Sequence, residues 1–213
     1  MNTKHVQTAI VALMNKQKIF HSEADFQFSL AWELQRILPA AKIRLEYCPP
    51  FATEMHIDIY VIDEEGTYPI ELKYKSRTIE TIVDDEYFKL KEHGAQDSGR
   101  YDYLYDISRI EKVCQLDSQF QAGYAIMLSN DSAYWKSPSP RKTVDAAFRI
   151  HEGRSIGGIC AWDENVSAGT IKSREMPIVL DGTYSIHWDF YSEIENANNG
   201  QFKLCLIEIK KRF

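Results

Sequence analysis

Residues 57–74 alternate apolar and polar positions in a way that predicts two β-strands joined by a tight turn. Apolar residues dominate 57–62, with Asp58 as the interruption, and across 68–74 they alternate with Glu71 and Lys73. Asp63-Glu64-Glu65-Gly66 supplies the turn. Side chains two apart on a strand share a face, so Glu71 and Lys73 point one way while Ile70, Leu72 and Tyr74 point the other. A two-residue turn centred on Glu64-Glu65 sets Asp58 opposite Glu71 and His56 opposite Lys73.

The same patterning organises the chain around this hairpin. Val6, Ile10, Leu13 and Met14 recur at helical spacing within residues 4–17 and predict an N-terminal helix. Ser22 then reads as an N-cap with Glu23 and Asp25 in the first turn, followed by the stripe Phe26, Leu30, Leu34 and Ile37 and the stop at Pro39. Residues 42–47 alternate as a strand that Pro49-Pro50 closes. The charged stretch 75–99 predicts a loop with a short helix at 84–92. Leu104, Ile107 and Val113 stripe a helix over 100–116, with Tyr101, Tyr105 and Arg109 near one edge, and the apolar run 122–128 reads as a buried strand. Beyond the turn-rich Ser137-Pro138-Ser139-Pro140, short apolar stretches at 145–150, 156–162, 178–180, 184–188 and 202–209 predict strands and loops that extend or cover the sheet.

Composition narrows the class. With 213 residues and 44% hydrophobic content the chain can bury a core as a single domain over residues 1–213. Residues of about 20–130 would form that core and 141–213 a β-rich elaboration packed on it. No apolar run approaches the ~18 residues of a membrane span, and the short apolar patch 9–14 lies inside an amphipathic pattern, so no membrane partner is expected. Cys48, Cys114, Cys160 and Cys205 are far apart and form no Cys-x-x-Cys pair, which argues against a zinc site and reads as reduced thiols in a cytoplasmic protein. A net charge of −6 gives no general attraction for a polyanion, so nucleic-acid binding would require positive charge gathered locally.

The candidate chemistry lies on the hairpin. Opposed carboxylates at Asp58 and Glu71 cost roughly 0.2–1 kcal/mol as a cross-strand pair, unless a cation relieves them. Acidic oxygens with a backbone carbonyl suit a hard divalent ion, and Lys73 on the same face adds an ammonium.

Asp58 followed by Glu71-Leu72-Lys73 resembles the PD-(D/E)xK signature of the restriction-endonuclease-like nuclease superfamily, although Ile57 stands where that name has proline. The family core runs α-β-β-β-α-β, the order predicted over residues 22–129. The resemblance implies an α/β restriction-endonuclease-like fold with a mixed central sheet, and a bacterial-type, metal-dependent nuclease, DNA being expected because most relatives cut DNA. It implies Mg²⁺ or Mn²⁺ held by Asp58, Glu71, the Leu72 carbonyl and a first-helix acid, for which Glu23 is the candidate and Gln27 or Glu33 would be substitutes. Lys73 would orient or help deprotonate the attacking water, leaving a 5′-phosphate and a 3′-hydroxyl. His56 would assist from beside Asp58, and Lys75 and Arg77 would touch substrate phosphates. A homodimer or a partner protein is compatible with this family. The alternative is a non-catalytic nucleic-acid or protein interaction module on the same fold.

Other signals carry less. Glu208-Ile209-Lys210 with Asp189 is a rival acid-x-lysine set without the preceding helix, strand and hairpin. The Arg100-to-Tyr105 cluster offers rings that could stack bases, but tyrosines at helical spacing are more often packing residues.

Overall fold

A computed structural model describes residues 1–139 and 141–211; Pro140, in the turn-rich connector, lies outside them. Two helices open the chain, α1 (Thr3–Lys16) and α2 (Glu23–Ile37). Asn2 and His5 form a reciprocal cap on α1, and the Ser22 hydroxyl accepts from Asp25 N–H to start α2. Strands β1 (Lys42–Tyr47), β2 (Ile57–Ile62) and β3 (Thr67–Lys75) follow, then a hairpin of β4 (Ile79–Val83) and β5 (Glu86–Leu90), helix α3 (Gln96–Leu116) and β6 (Ala122–Ser129). A 3-10 turn at Ala146–Phe148 leads to β7 (Ser155–Cys160), a short α4 (Ala168–Ile171), β8 (Ile178–Ser185), β9 (Trp188–Glu193) and β10 (Gln201–Lys210).

The architecture is mixed α/β around a six-stranded sheet in the order β1-β2-β3-β6-β10-β9. Only the β3–β6 pairing is parallel within it; the other neighbours run antiparallel. Parallel neighbours need a crossover, and α3 provides it. The two faces bury separate apolar clusters. Ile59, Ile70, Leu72, Tyr74 and Leu128 pack under α1 and α2, while Ala125, Met127, Cys205 and Ile207 pack under α3 and the β7–β8 ribbon.

The β2–β3 turn lies where the sequence predicts it: Ile59 pairs with Ile70 and Ile62 with Thr67, and Asp63 Oδ1 accepts from the Glu65 and Gly66 amides. Several elements differ from expectation: 178–180 and 184–185 join through Asp181-Gly182 as the single strand β8, and β9 begins only at Trp188. Residues 84–92 are not helical, because Asp84 and Asp85 both take positive φ (50° and 66°) and turn the chain into the β4–β5 hairpin. Residues 145–150 carry a 3-10 turn instead of a strand, since Asp145 is held by Thr143, Arg100 and Arg149 side chains and no strand runs alongside among the described residues. The last two strands extend the central sheet, β10 pairing along the whole of β6.

Candidate functional site

The site is built where β2 and β3 part. Their pairing ends at Ile59–Ile70. Beyond that point the Leu72 and Tyr74 amides, which face the β2 side, find carboxylates instead of carbonyls. Asp58 Oδ2 accepts from Leu72 N–H at 2.6 Å, and Glu23 Oε2 accepts from Tyr74 N–H at 2.6 Å. Charge-assisted bonds of this kind are about twice as strong as neutral ones. The sheet's opened edge is therefore closed by two acids from different elements, and the expected ladder contacts of Asp58 with Glu71 and of His56 with Lys73 do not form.

On its other side β3 stays zipped to β6, with Glu71 opposite Ala125 and Lys73 opposite Met127. Both polar side chains turn toward α3. Lys73 Nζ lies 2.5 Å from Asp106 Oδ2 and donates to the Leu72 carbonyl at 3.1 Å. Arg109, one turn further along α3, reaches Glu71 Oε1 at 3.2 Å and Asp106 Oδ1 at 3.7 Å, and its guanidinium also donates to the His56 carbonyl. Glu71 is 1% exposed and neither of its oxygens accepts a hydrogen bond among the described residues. A buried carboxylate left in that state is costly and calls for a cation or a proton.

The electrostatics follow from burial. Burial raises the Glu71 carboxyl well above the usual range, with the Asp106 and Asp58 charges adding to it. Asp106 moves the same way, chiefly by burial, against the pull of Lys73. Asp58 is also raised by burial despite Lys73 and the Leu72 amide. Burial alone would lower Lys73, but the surrounding carboxylates, Asp106 first, hold its ammonium firmly protonated.

Asp58, Glu71 and Lys73 are gathered, and Glu23 joins them at the edge with one oxygen taken by Tyr74. Gln27 supports Asp58 from behind, donating to its backbone carbonyl at 2.6 Å and to Glu46 Oε1 at 2.7 Å. His56 is exposed and contributes its carbonyl. Lys75 lies further along β3, while Arg77 pairs with Glu92 at 2.9 Å, where it lines a different cavity. Glu33 faces Lys16 and Arg36 instead of the site. In the rival set, Asp189 lies opposite Leu204, several residues along β10 from Glu208. Tyr101 packs between Phe148 and Trp162, and Arg100 pairs with Asp145, so that cluster is core except for the half-buried Asp102, paired with Arg174, and the exposed Tyr105.

Asp106 and Arg109 are the residues that sequence reasoning missed in this role. Charged residues on a helix ordinarily face water, and the signal that could have found them is their three-residue spacing beside the Ile107–Ile110 stripe on a helix that must cover Glu71. Outside them an open cavity of about 680 Å³ has Asp58 and Arg109 in its wall, with Lys112, Tyr105 and His56 around it.

The donor set is all oxygen, which is what a hard divalent ion takes. No three His, Cys, Asp or Glu side chains converge on a metal position among the described residues. Two carboxylates, Asp58 and Glu71, together with the Leu72 carbonyl are what could hold one, and the unbonded Glu71 oxygens fit that role. Among the described residues no helix is long and apolar enough to cross a membrane. No family model, curated protein or solved structure matches this chain.

Proposed function

We propose that this protein is a metal-dependent nuclease that hydrolyses phosphodiester bonds, DNA being the first substrate to test, on a restriction-endonuclease-like core. The observation that carries this reading is the parted β2–β3 edge, where the half-buried Asp58 and the buried Glu71 lie beside the Leu72 carbonyl with Glu71's oxygens unbonded and Lys73 within reach. The order α2, β1, β2, β3, α3, β6 supports it as well, with β4–β5 as an insertion.

Mg²⁺ or Mn²⁺ at Asp58, Glu71 and the Leu72 carbonyl would polarise the scissile phosphate and lower the pKa of a bound water. The chain's own residues supply the rest. Asp106 fixes the Lys73 ammonium, which offsets the charge that develops on the phosphoryl oxygens and orients the attacking water. Arg109 restrains Glu71 and keeps its carboxylate on the β3 face. Asp58 is held in one rotamer by the Leu72 amide, and Gln27 secures the backbone beneath it.

The test is cleavage of supercoiled, linear and single-stranded DNA and of RNA with Mg²⁺ or Mn²⁺. Asp58→Ala and Lys73→Ala should each lower the rate by at least about a hundredfold, the scale of removing one preorganised charge. Equal activity in wild type and both variants would exclude this centre.

A second reading has its own support. Lys73 and Arg109 already neutralise the buried acids, as they would in a non-catalytic interaction module that keeps the fold. A divalent ion binding only the folded state raises the melting temperature. Metal-dependent stabilisation that vanishes in Asp58→Ala therefore favours the nuclease, and its absence favours the module.

A further inference from the structure

Next to the parted edge, on the side away from Arg109, the β4–β5 hairpin stands against the start of α2 and encloses a cleft of about 420 Å³. Lys75, Lys89, Lys91, His21 and His93 line it, and Glu23 is its acidic residue. Glu23 gives one oxygen to the Tyr74 amide and keeps its single negative charge against three lysines. The other nearby acids each have a basic partner: Glu80 with Lys89 at 3.0 Å, Glu86 with His21 at 2.8 Å, and Glu92 with Arg77. Lys75 and Lys91 have no carboxylate within ion-pair distance among the described residues. In a chain of net charge −6, unpaired lysines facing one cleft are the local concentration of positive charge that a polyanion needs.

The cleft adjoins the candidate site along β3, although it shares no lining residue with the cavity beside Asp58 and Arg109. Glu23 and Tyr74 belong to its wall, and Lys75 follows Lys73 on the same face of β3. Lysine, histidine and serine side chains make up most of its wall, with Leu90 and the buried ring of Tyr74 as the apolar members, and the lysines suit contacts to a phosphate backbone.

The geometry points to this cleft as the seat of the phosphodiester backbone of a polynucleotide strand, one or two phosphates from the bond to be cut, with Lys75 and Lys91 as the phosphate contacts. This rests on the nuclease reading for its placement beside a scissile phosphate, and on the cleft alone for its binding chemistry. The β4–β5 insertion then sets the path of the substrate.

The experiment measures binding of fluorescein-labelled DNA and RNA oligonucleotides by anisotropy in EDTA, over a range of salt, for the full chain. Lys75→Ala/Lys91→Ala should weaken binding about tenfold and lower the slope of log affinity against log salt by roughly one to two. Lys91→Glu, at an exposed position, should weaken it in a chain whose fold is undisturbed. Lys4→Ala/Lys172→Ala removes the same charge from exposed positions elsewhere and should leave both quantities unchanged. DNA and RNA should lose affinity alike, since the phosphate is shared, and the tighter of the two identifies the substrate. Wild-type binding retained in both cleft variants, an equal loss in the Lys4/Lys172 control, or no binding by wild type would each overturn the proposal. The Asp58→Ala cleavage result is scored separately: cleavage that depends on Asp58 with unaffected binding rejects the cleft alone, and binding that depends on the cleft without any cleavage rejects the nuclease alone.

Discussion

Arg109 is the residue whose removal should be felt most at the site. It stands against Glu71 and Asp106, both buried, and while Asp106 keeps Lys73, Arg109→Met leaves Glu71 without its ion-pair partner. Breaking a fully buried pair costs about 3–5 kcal/mol; with Arg109 still 21% exposed, a loss on the order of 2 kcal/mol in urea unfolding is expected. Glu71→Gln in the same chain should recover at least half of it, and independent, additive effects would show that the pair is not coupled. At this scale the sequence revealed the strand residues and hid the helix ones. Glu71 and Lys73 were legible because a period of two leaves no choice of face, whereas Asp58 lies beyond the last β2–β3 pair and turns its carboxylate onto the Leu72 amide. Asp106 and Arg109 were not, because their burial depends on what lies opposite α3, which no local pattern records.

Among the elements, α3 is the one that ties the site to the sheet, and it approaches β6 through Gly123. A methyl group there would meet the Ile110 Cγ2 at 2.2 Å and the Phe120 and Pro69 rings at 3.3 Å. Gly123→Ala should therefore push α3 outward and cost about 1–3 kcal/mol, the usual range for overpacking. The melting temperature would fall by roughly 2–4 °C per kcal/mol in a chain of this size; an unchanged melting temperature would mean that the helix can settle elsewhere. Elements with a sustained apolar pattern, α1, α2, β1, β2, β3 and β6, were readable from the chain. The β4–β5 hairpin was not, because its turn uses Asp84-Asp85 at positive φ, a conformation more often given to glycine or asparagine. The start of α3 was read late for a related reason: Gly99 sits inside the helix, against the Tyr134 hydroxyl.

For the molecule as a whole, the C-terminal part is fastened to α3 by a buried charge network as well as by apolar packing. Arg100 of α3 meets Asp145 at 2.5 Å and donates to the Ala133 carbonyl, and Arg149 closes on the same carboxylate. Burial alone would raise Asp145, but the Thr143 hydroxyl with Arg100 and Arg149 outweighs it and holds the carboxyl below its ordinary value of 3.8. A folded-state pKa below the unfolded one adds stability above the unfolded pKa, and that stability is lost as pH falls through the folded value. Asp145→Asn should thus cost about 3 kcal/mol near neutral pH, and the difference from wild type should shrink as pH drops below about 4. A constant difference at all pH values would place the effect in packing instead. That β9 and β10 complete the central sheet was only half visible: the strands could be read, but not their neighbours, since pairing between distant segments leaves no local trace.

The parted edge of β2 and β3 also gives the molecule a spectroscopic gauge. Asp58 and Glu23 belong to the β2 and α2 side, while the amides they grip belong to the β3 and β6 side. Those two protons, on Leu72 and Tyr74, should resonate far downfield and exchange slowly with solvent, as amides bound to carboxylates do. A shift of either signal on adding a divalent ion or an oligonucleotide would report, residue by residue, whether the two sides of the sheet move apart when the site is filled.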